Sequence, residues 1–324
     1  MPYLIGTDEA GYGPNLGPLV VSTSVWRVPD DGGGRDLFEL LGGAVVRSVK
    51  EVGNVADGRC VVADSKRVYK PGGGLGPLER TLFAAWRQAA EAPSSWRAIW
   101  PQLVPGCSEA IDSEPWYADY DARLPIDGDP AEIAAADGCL RRVFTESGVA
   151  LVAATSRAVF PARFNRLVER FGSKGAALTY ETLDLAAAAI RPLGDEPIRV
   201  VCDKHGGRNH YTAPLWEHFA WAPRIETCEE GRDRSVYRFG PKHRRIEFCF
   251  QTGGEAHLPT ALASMQSKYL RELAMRAFNH FWRRHLPGLK PTAGYPADAK
   301  RFRREIAAKL AELRIDETTL WRMR

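Results

Sequence analysis

Two adjacent acids, Asp8 and Glu9, follow a short apolar run and lead directly into Gly11 and Gly13 in the stretch IGTDEAGYGPNLGPLVV. Two further acids occupy similar places. Asp203 ends the β-branched run PIRVVCD, and Glu255 follows RRIEFCFQTGG just before a helix-like segment. Strand ends are where an open sheet presents functional groups, because the side chains leave the packed faces while the backbone stays rigid. Taken singly, each acid reads first as a turn or cap residue. Taken together, four acids at strand exits, with no CxxC pair or histidine cluster, point to hard, oxygen-seeking ions such as Mg²⁺ or Mn²⁺. Carboxylates that converge need a cation to offset their mutual repulsion. Gly11 and Gly13 remove side chains where a ligand could approach the backbone, and they permit positive φ.

The elements that must position these acids alternate between strand-like and helix-like patterns. YLIGTD and LVVSTSVWRV (19–28) read as strands, as do GVALVAATSRAV (148–159), PIRVVCD (197–203) and RRIEFCFQT. LERTLFAAWRQAAEA, PARFNRLVERF and ALTYETLDLAAAAI carry helical spacing, LPTALASMQSKYLRELAMRAFNHFWRRH reads as a long helix from near Pro259, and ADAKRFRREIAAKLAEL as a final one. DDGGG (30–34) reads as a turn. Residues 94–134, rich in Trp, Pro and Asp without a clear period, are expected to be an insertion of irregular structure. Residues 204–243, polar and glycine-rich, form a second expected insertion with hairpin pieces such as SVYRFG. The expectation is an α/β fold in one domain over 1–324, with a basic helical part over 259–324.

Composition narrows the class. Hydrophobic residues at 44% and charged residues at 26% of 324 fit a soluble globular chain, not a disordered one. Six scattered cysteines suit a reducing cytoplasm, and no window is long and apolar enough for a membrane span. Net charge is +4, with fourteen Lys and Arg against six Asp and Glu from Ser264 to Arg324. Such a concentration is either a solvated helical face or an electrostatic footprint for a polyanion.

The opening GTDEAGYGPNLGPLVV resembles the D-E-x-G-x-G-P-x-x-G-P start of the type 2 ribonucleases H, the HII and HIII enzymes. ADSK (63–66), the Asp203 strand, FQTGGE…ALASMQSKYLREL (250–273) and KPTAGYPADAKRF (290–302) agree with that family in order. The resemblance implies a ribonuclease H-like fold, a mixed central sheet flanked by helices. It implies an endonuclease that hydrolyses the RNA strand of RNA/DNA hybrids, or ribonucleotides embedded in DNA, with two Mg²⁺ or Mn²⁺ ions, leaving 5′-phosphate and 3′-hydroxyl ends. Asp8, Glu9, Asp203 and Glu255 would hold the ions. Gly11, Tyr12 and Gly13 would probe the 2′-hydroxyl, Lys66 a phosphate, and Lys268 matches a family lysine or arginine. Tyr295 matches a tyrosine that stacks on the sugar at an RNA–DNA junction; otherwise it is a core aromatic. HII enzymes carry arginine between the two glycines and aspartate where Glu255 stands. Two other readings are a hybrid-binding protein of the same fold without turnover, and a sugar-kinase-like ATPase, which shares the apolar strand and acidic turn. His205 and His210, after Asp203, either assist the site or belong to a plain loop.

Overall fold

The computed structural model describes residues 1–30, 36–51 and 57–323. The strands among them are β1 Tyr3–Ala10, β2 Leu19–Arg27, β3 Val45–Val46, β4 Cys60–Val61, β5 Ala150–Val159, β6 Ile198–Asp203, β7 Glu226–Glu230, β8 Arg234–Phe239 and β9 Ile246–Gln251. The helices are α1 Leu37–Leu40, α2 Ser65–Val68, α3 Gly76–Ala89, α4 Trp96–Leu103, α5 Ser108–Ser113, α6 Pro115–Ala118, α7 Pro130–Ser147, α8 Pro161–Phe171, α9 Lys174–Ile190, α10 Thr212–His218, α11 Leu258–His285, α12 Pro296–Glu312 and α13 Glu317–Leu320.

Seven strands form one sheet in the order β5-β2-β1-β6-β9-β8-β7. Its centre is parallel: β1 pairs with β6 from Tyr3↔Ile198 to Thr7↔Cys202, and β6 with β9 from Ile198↔Ile246 to Asp203↔Gln251. The flanks, β2–β5 on one side and β8–β7 on the other, are antiparallel. The expected mixed sheet flanked by helices is therefore present. Parallel pairing places the carboxyl ends of β1, β6 and β9 side by side along one edge, the edge at which open sheets carry their chemistry.

One face of the sheet packs on α11 and, around it, α3, α4, α6, α7 and α12; the other face packs on α8, α9 and α10. The 28-residue α11, about 42 Å long at ~1.5 Å per residue, lies directly on the central strands. A Cβ on Gly6 would stand 2.1 Å from the Pro259 carbonyl carbon, so only glycine lets β1 and α11 approach this closely. Polar anchors fix the crossing. Ser24 Oγ donates to Pro259 O at 2.7 Å, Thr260 Oγ1 to Val201 O at 3.2 Å and Ser267 Oγ to Asp8 O at 2.9 Å.

Residues 94–134 correct the sequence reading. They are mostly helical and are built into the main core: Trp96, Trp100 and Tyr117 are fully buried, and Trp96 Nε1 donates to Leu273 O of α11 at 3.0 Å. Trp96, Ile99, Trp100 and Leu103 keep helical spacing on one buried face of α4, but that helix is only eight residues long and carries Pro101, which hides the pattern. The following loop is held by Glu79 of α3, whose buried carboxylate accepts from Ile126 N, Asp127 N, Gly128 N and Tyr269 Oη at 2.6–2.8 Å. The 18-residue α7 was also missed. Asp129 caps it by accepting from Ala131 N and Glu132 N, and Gly148 ends it at φ 68°. In the second expected insertion, β8 joins the central sheet beside β9, and β7 forms its exposed edge. The helix ADAKRFRREIAAKLAEL is not the last element, since α13 and a further segment follow it. Residues 31–34 of the expected DDGGG turn lie outside the described residues.

Candidate metal centre

β1 extends through Ala10, so Asp8 and Glu9 lie inside the strand, opposite Ser22 and Val21 of β2, and not in a turn. Successive strand side chains face opposite ways. Asp8 lies near Ser264 of α11, which favours its ionised form, while the charges that act most strongly on Glu9 are those of Asp203 and Lys66. Asp203 ends β6. Gly253 then turns the chain after β9 at φ 70°, and Gly254 passes so close that a Cβ would meet Asp203 N at 3.2 Å. Its own N–H donates to Asp203 Oδ1 at 3.3 Å. The TGGE turn thus delivers Glu255 to Asp203.

Asp8, Asp203 and Glu255 each offer one carboxylate oxygen, and the three oxygens lie within 4.8 Å of one another. Glu9 stands outside this group but within its field. Burial first, then Glu9 and Glu255, hold the Asp8 carboxyl well above the ordinary carboxylate range. Burial first, then Asp203, push Glu9 up to about 7, with Lys66 opposing. Glu255 is raised chiefly by burial, with Asp203 and Asp64 adding to it. Such acids are held together against their own repulsion, and the all-oxygen set fits Mg²⁺ or Mn²⁺.

ADSK frames the cluster from the other side. Asp64 caps α2 by accepting from Lys66 N at 3.0 Å, and Ser264 Oγ accepts from Ser65 N at 3.3 Å. Asp64 chiefly, and then Glu255, Asp8 and Glu9, raise the Lys66 ammonium. Lys268 is turned elsewhere: its Nζ donates to Glu272 Oε1 at 2.6 Å and sits 4.5 Å from the centre of the Tyr69 ring.

The glycine loop lies next to this cluster. Gly11 takes φ 93°, and a Cβ there would meet Arg271 Nε at 2.5 Å, whereas Gly13 has open space and the Tyr295 ring 3.8 Å from where its Cβ would be. Tyr295 is 56% exposed, so it is not a core aromatic. Tyr12 reaches across to Gly175 at the start of α9 and to Gly206, just after Asp203. His205 is buried against Tyr211 and Phe250, shares a 3.2 Å hydrogen bond with Thr179 Oγ1, and burial pushes its pKa down to about 3. It is a neutral core residue. His210 pairs at the surface with Glu230. Sequence reasoning missed Ser264, the anchor shared by Asp8 and the ADSK turn; a single serine within the α11 pattern carries no signal of that contact.

No protein-family model matches the chain, and neither does any curated protein. Several solved structures are similar to it. The ribonuclease H2 from Pyrococcus horikoshii OT3 is 14% identical with a TM-score of 0.46, over 98% of this chain and 92% of that one. RNase HII from Archaeoglobus fulgidus, solved as a PCNA complex, is 14% identical with a TM-score of 0.44, over 99% and 94%. Bst-RNase HIII in complex with Mn²⁺ is 16% identical with a TM-score of 0.43, over 99% and 66%.

Proposed function

We propose that the chain is a divalent-metal-dependent endoribonuclease that cuts the RNA strand of RNA/DNA hybrids or ribonucleotides embedded in DNA. The observation that carries this reading is the convergence of Asp8, Asp203 and Glu255 from the carboxyl ends of three adjacent parallel strands. Asp8, Asp203 and Glu255 would hold the ions, with Glu9 beside them. The bound ions would supply an activated water and neutralise charge on the leaving 3′ oxygen. Among the protein's own groups, Lys66 brings a cation to the edge of the cluster, where it would pair with a phosphate. The open backbone at Gly13 and the exposed Tyr295 ring next to it form a place for a sugar. A 2′-hydroxyl there would distinguish RNA from DNA. Six free cysteines agree with a reducing, cytoplasmic setting, and no described helix is long and apolar enough to cross a membrane.

The test is cleavage of end-labelled substrates with Mg²⁺ or Mn²⁺, using one continuous hybrid and one duplex with a single ribonucleotide. Changing an outer-shell partner of a metal typically costs ~10–100-fold, so Asp8→Asn and Asp203→Asn, which alter ligands themselves, should lose about a hundredfold or more. Metal-dependent binding of the hybrid without any cutting would instead favour a binding protein. Cutting by the double variant at the parent rate would end the assignment.

A further inference from the structure

Two arginines under the glycine loop are placed where charged side chains are rarely found. Arg271 of α11 is 3% exposed and Arg322, beyond α13, is 0% exposed. Every hydrogen bond described for their guanidiniums goes to a main-chain carbonyl. Arg322 Nη2 donates to Gly11 O and Pro14 O, and Arg271 Nη2 to Leu16 O at 3.2 Å and Ala293 O at 3.1 Å. Among the described residues, Arg322 Nε and Nη1 and Arg271 Nε have no hydrogen-bond partner. Burial, together with repulsion from Arg271, pushes Arg322 down to about 9. A buried cation with no carboxylate hydrogen-bonded to it is costly to keep, and among the described residues only Glu272, beside Arg271, brings a negative charge near the pair.

The chain around Arg322 is fastened on both sides. Arg322 N donates to Asn15 O at 2.8 Å, and Asn15 Nδ2 returns a bond to Arg322 O at 3.1 Å. From α8, Asn165 Nδ2 donates to Trp321 O and Asn165 Oδ1 accepts from Met323 N, both at 2.8 Å. The guanidinium carbon then lies 4.9 Å from the centre of the Phe164 ring. What this arrangement fixes is the orientation of peptides. A trans peptide points its C=O and N–H in opposite directions, so drawing the Gly11 carbonyl inward turns the Tyr12 N–H outward, on the side where a substrate would lie.

We propose that Arg322, carried by the strap 321–323 and aided by Arg271, is a positioning residue that sets the peptide orientation of the glycine loop for contact with the nucleic-acid strand. The functional half of this inference rests on the nuclease reading above. The structural half does not. Arg322 touches neither the acid cluster nor any group argued to hold an ion, so its effect belongs on substrate affinity and not on metal affinity.

The experiment compares the parent with Arg322→Met, Arg322→Lys and Asn165→Ala, the last loosening the strap without altering the guanidinium. Hydrogen exchange of residues 11–17 is followed in the free protein, Mn²⁺ binding by calorimetry, and hybrid cleavage by KM and kcat. With the loss of charge-assisted bonds to two carbonyls, Arg322→Met should speed exchange in the loop by about tenfold or more and raise KM by about tenfold. Changes in kcat and Mn²⁺ affinity should stay within about threefold, and Arg322→Lys and Asn165→Ala should shift in the same direction by less. Unchanged loop exchange in Arg322→Met and Asn165→Ala would overturn the positioning role. So would equal losses in KM, kcat and Mn²⁺ affinity, which signal general unfolding. If Arg322→Met does not fold, Arg322→Lys and Asn165→Ala decide by the same readouts. If the parent cuts no hybrid, the nuclease reading fails, and loop exchange alone decides whether Arg322 orders the loop.

Discussion

In the metal-free chain the acid cluster should make stability fall as pH rises, and a divalent ion should reverse that fall. Glu9 is raised from 4.5 to about 7, so the folded chain holds this proton more tightly than the unfolded chain does. Below about pH 4.5 both states are protonated and the group contributes nothing. As pH climbs from there the unfolded chain ionises first, and stability drops until the folded carboxyl also ionises near pH 7. A tenfold change in proton affinity is worth ~1.4 kcal/mol, so a shift of this size is worth on the order of 3 kcal/mol over this window, shared between Glu9 and the acids whose charges act on it. Asp8, raised chiefly by burial, and Glu255 act in the same direction. Equilibrium denaturation at pH 5, 6, 7 and 8, in EDTA and in excess Mn²⁺, measures the effect. In EDTA the unfolding free energy should decrease from pH 5 to pH 7.5, and saturating Mn²⁺ should restore it by binding the ionised cluster of the native state. Glu9→Gln should make the fall in EDTA shallower, with Asp8 and Glu255 supplying what remains, and be more stable than the parent at pH 8. A flat or rising EDTA profile, or equal Mn²⁺ protection of an Asp8→Asn/Asp203→Asn double variant, would refute the reasoning.

Three further outcomes follow from the packing. Trp96→Ala removes a fully buried ring and its bond to Leu273 O, so it should cost about 3–5 kcal/mol by denaturant unfolding; under about 1 kcal/mol would mean that residues 94–134 are only loosely attached. Glu79→Gln leaves backbone N–H groups of Ile126, Asp127 and Gly128 competing for one carbonyl oxygen and should cost about 3 kcal/mol, seen as a lower denaturation midpoint. Tyr295→Ala, at an exposed site, should change stability by less than about 0.5 kcal/mol while raising KM for the hybrid; an unchanged KM would remove Tyr295 from the substrate surface.

Much of this architecture could be read from residue order, and the exceptions share a physical cause. The strands β1, β2, β5, β6 and β9 are short apolar runs with β-branched or aromatic residues, and α11 is long enough for its pattern to be unmistakable. Asp8, Asp203 and Glu255 stood out because each is a charge placed where an apolar run stops. Glu9 looked equivalent to Asp8 in the linear order, yet only Asp8 shares the three-residue group with Asp203 and Glu255, while Glu9 stands beside it within reach of the Asp203 charge. The short helices α4, α5 and α6 gave no signal, because each runs for only four to eight residues, too short for a helical period to show. Arg322 was hidden more completely. Nothing near it in sequence shows that its partners are Gly11, Pro14 and Asn15, over three hundred positions earlier.

The distance along the chain between the three acids has a bearing on synthesis. Asp8 is made well before Asp203 and Glu255, and its companions do not arrive until β6, β9 and the TGGE turn have been made and paired in parallel. Parallel pairing of distant strands is among the slower steps of folding. A nascent or truncated chain ending before Glu255 therefore has no complete acid pocket, and divalent-ion binding at this place should appear only once β9 and the TGGE turn have been made.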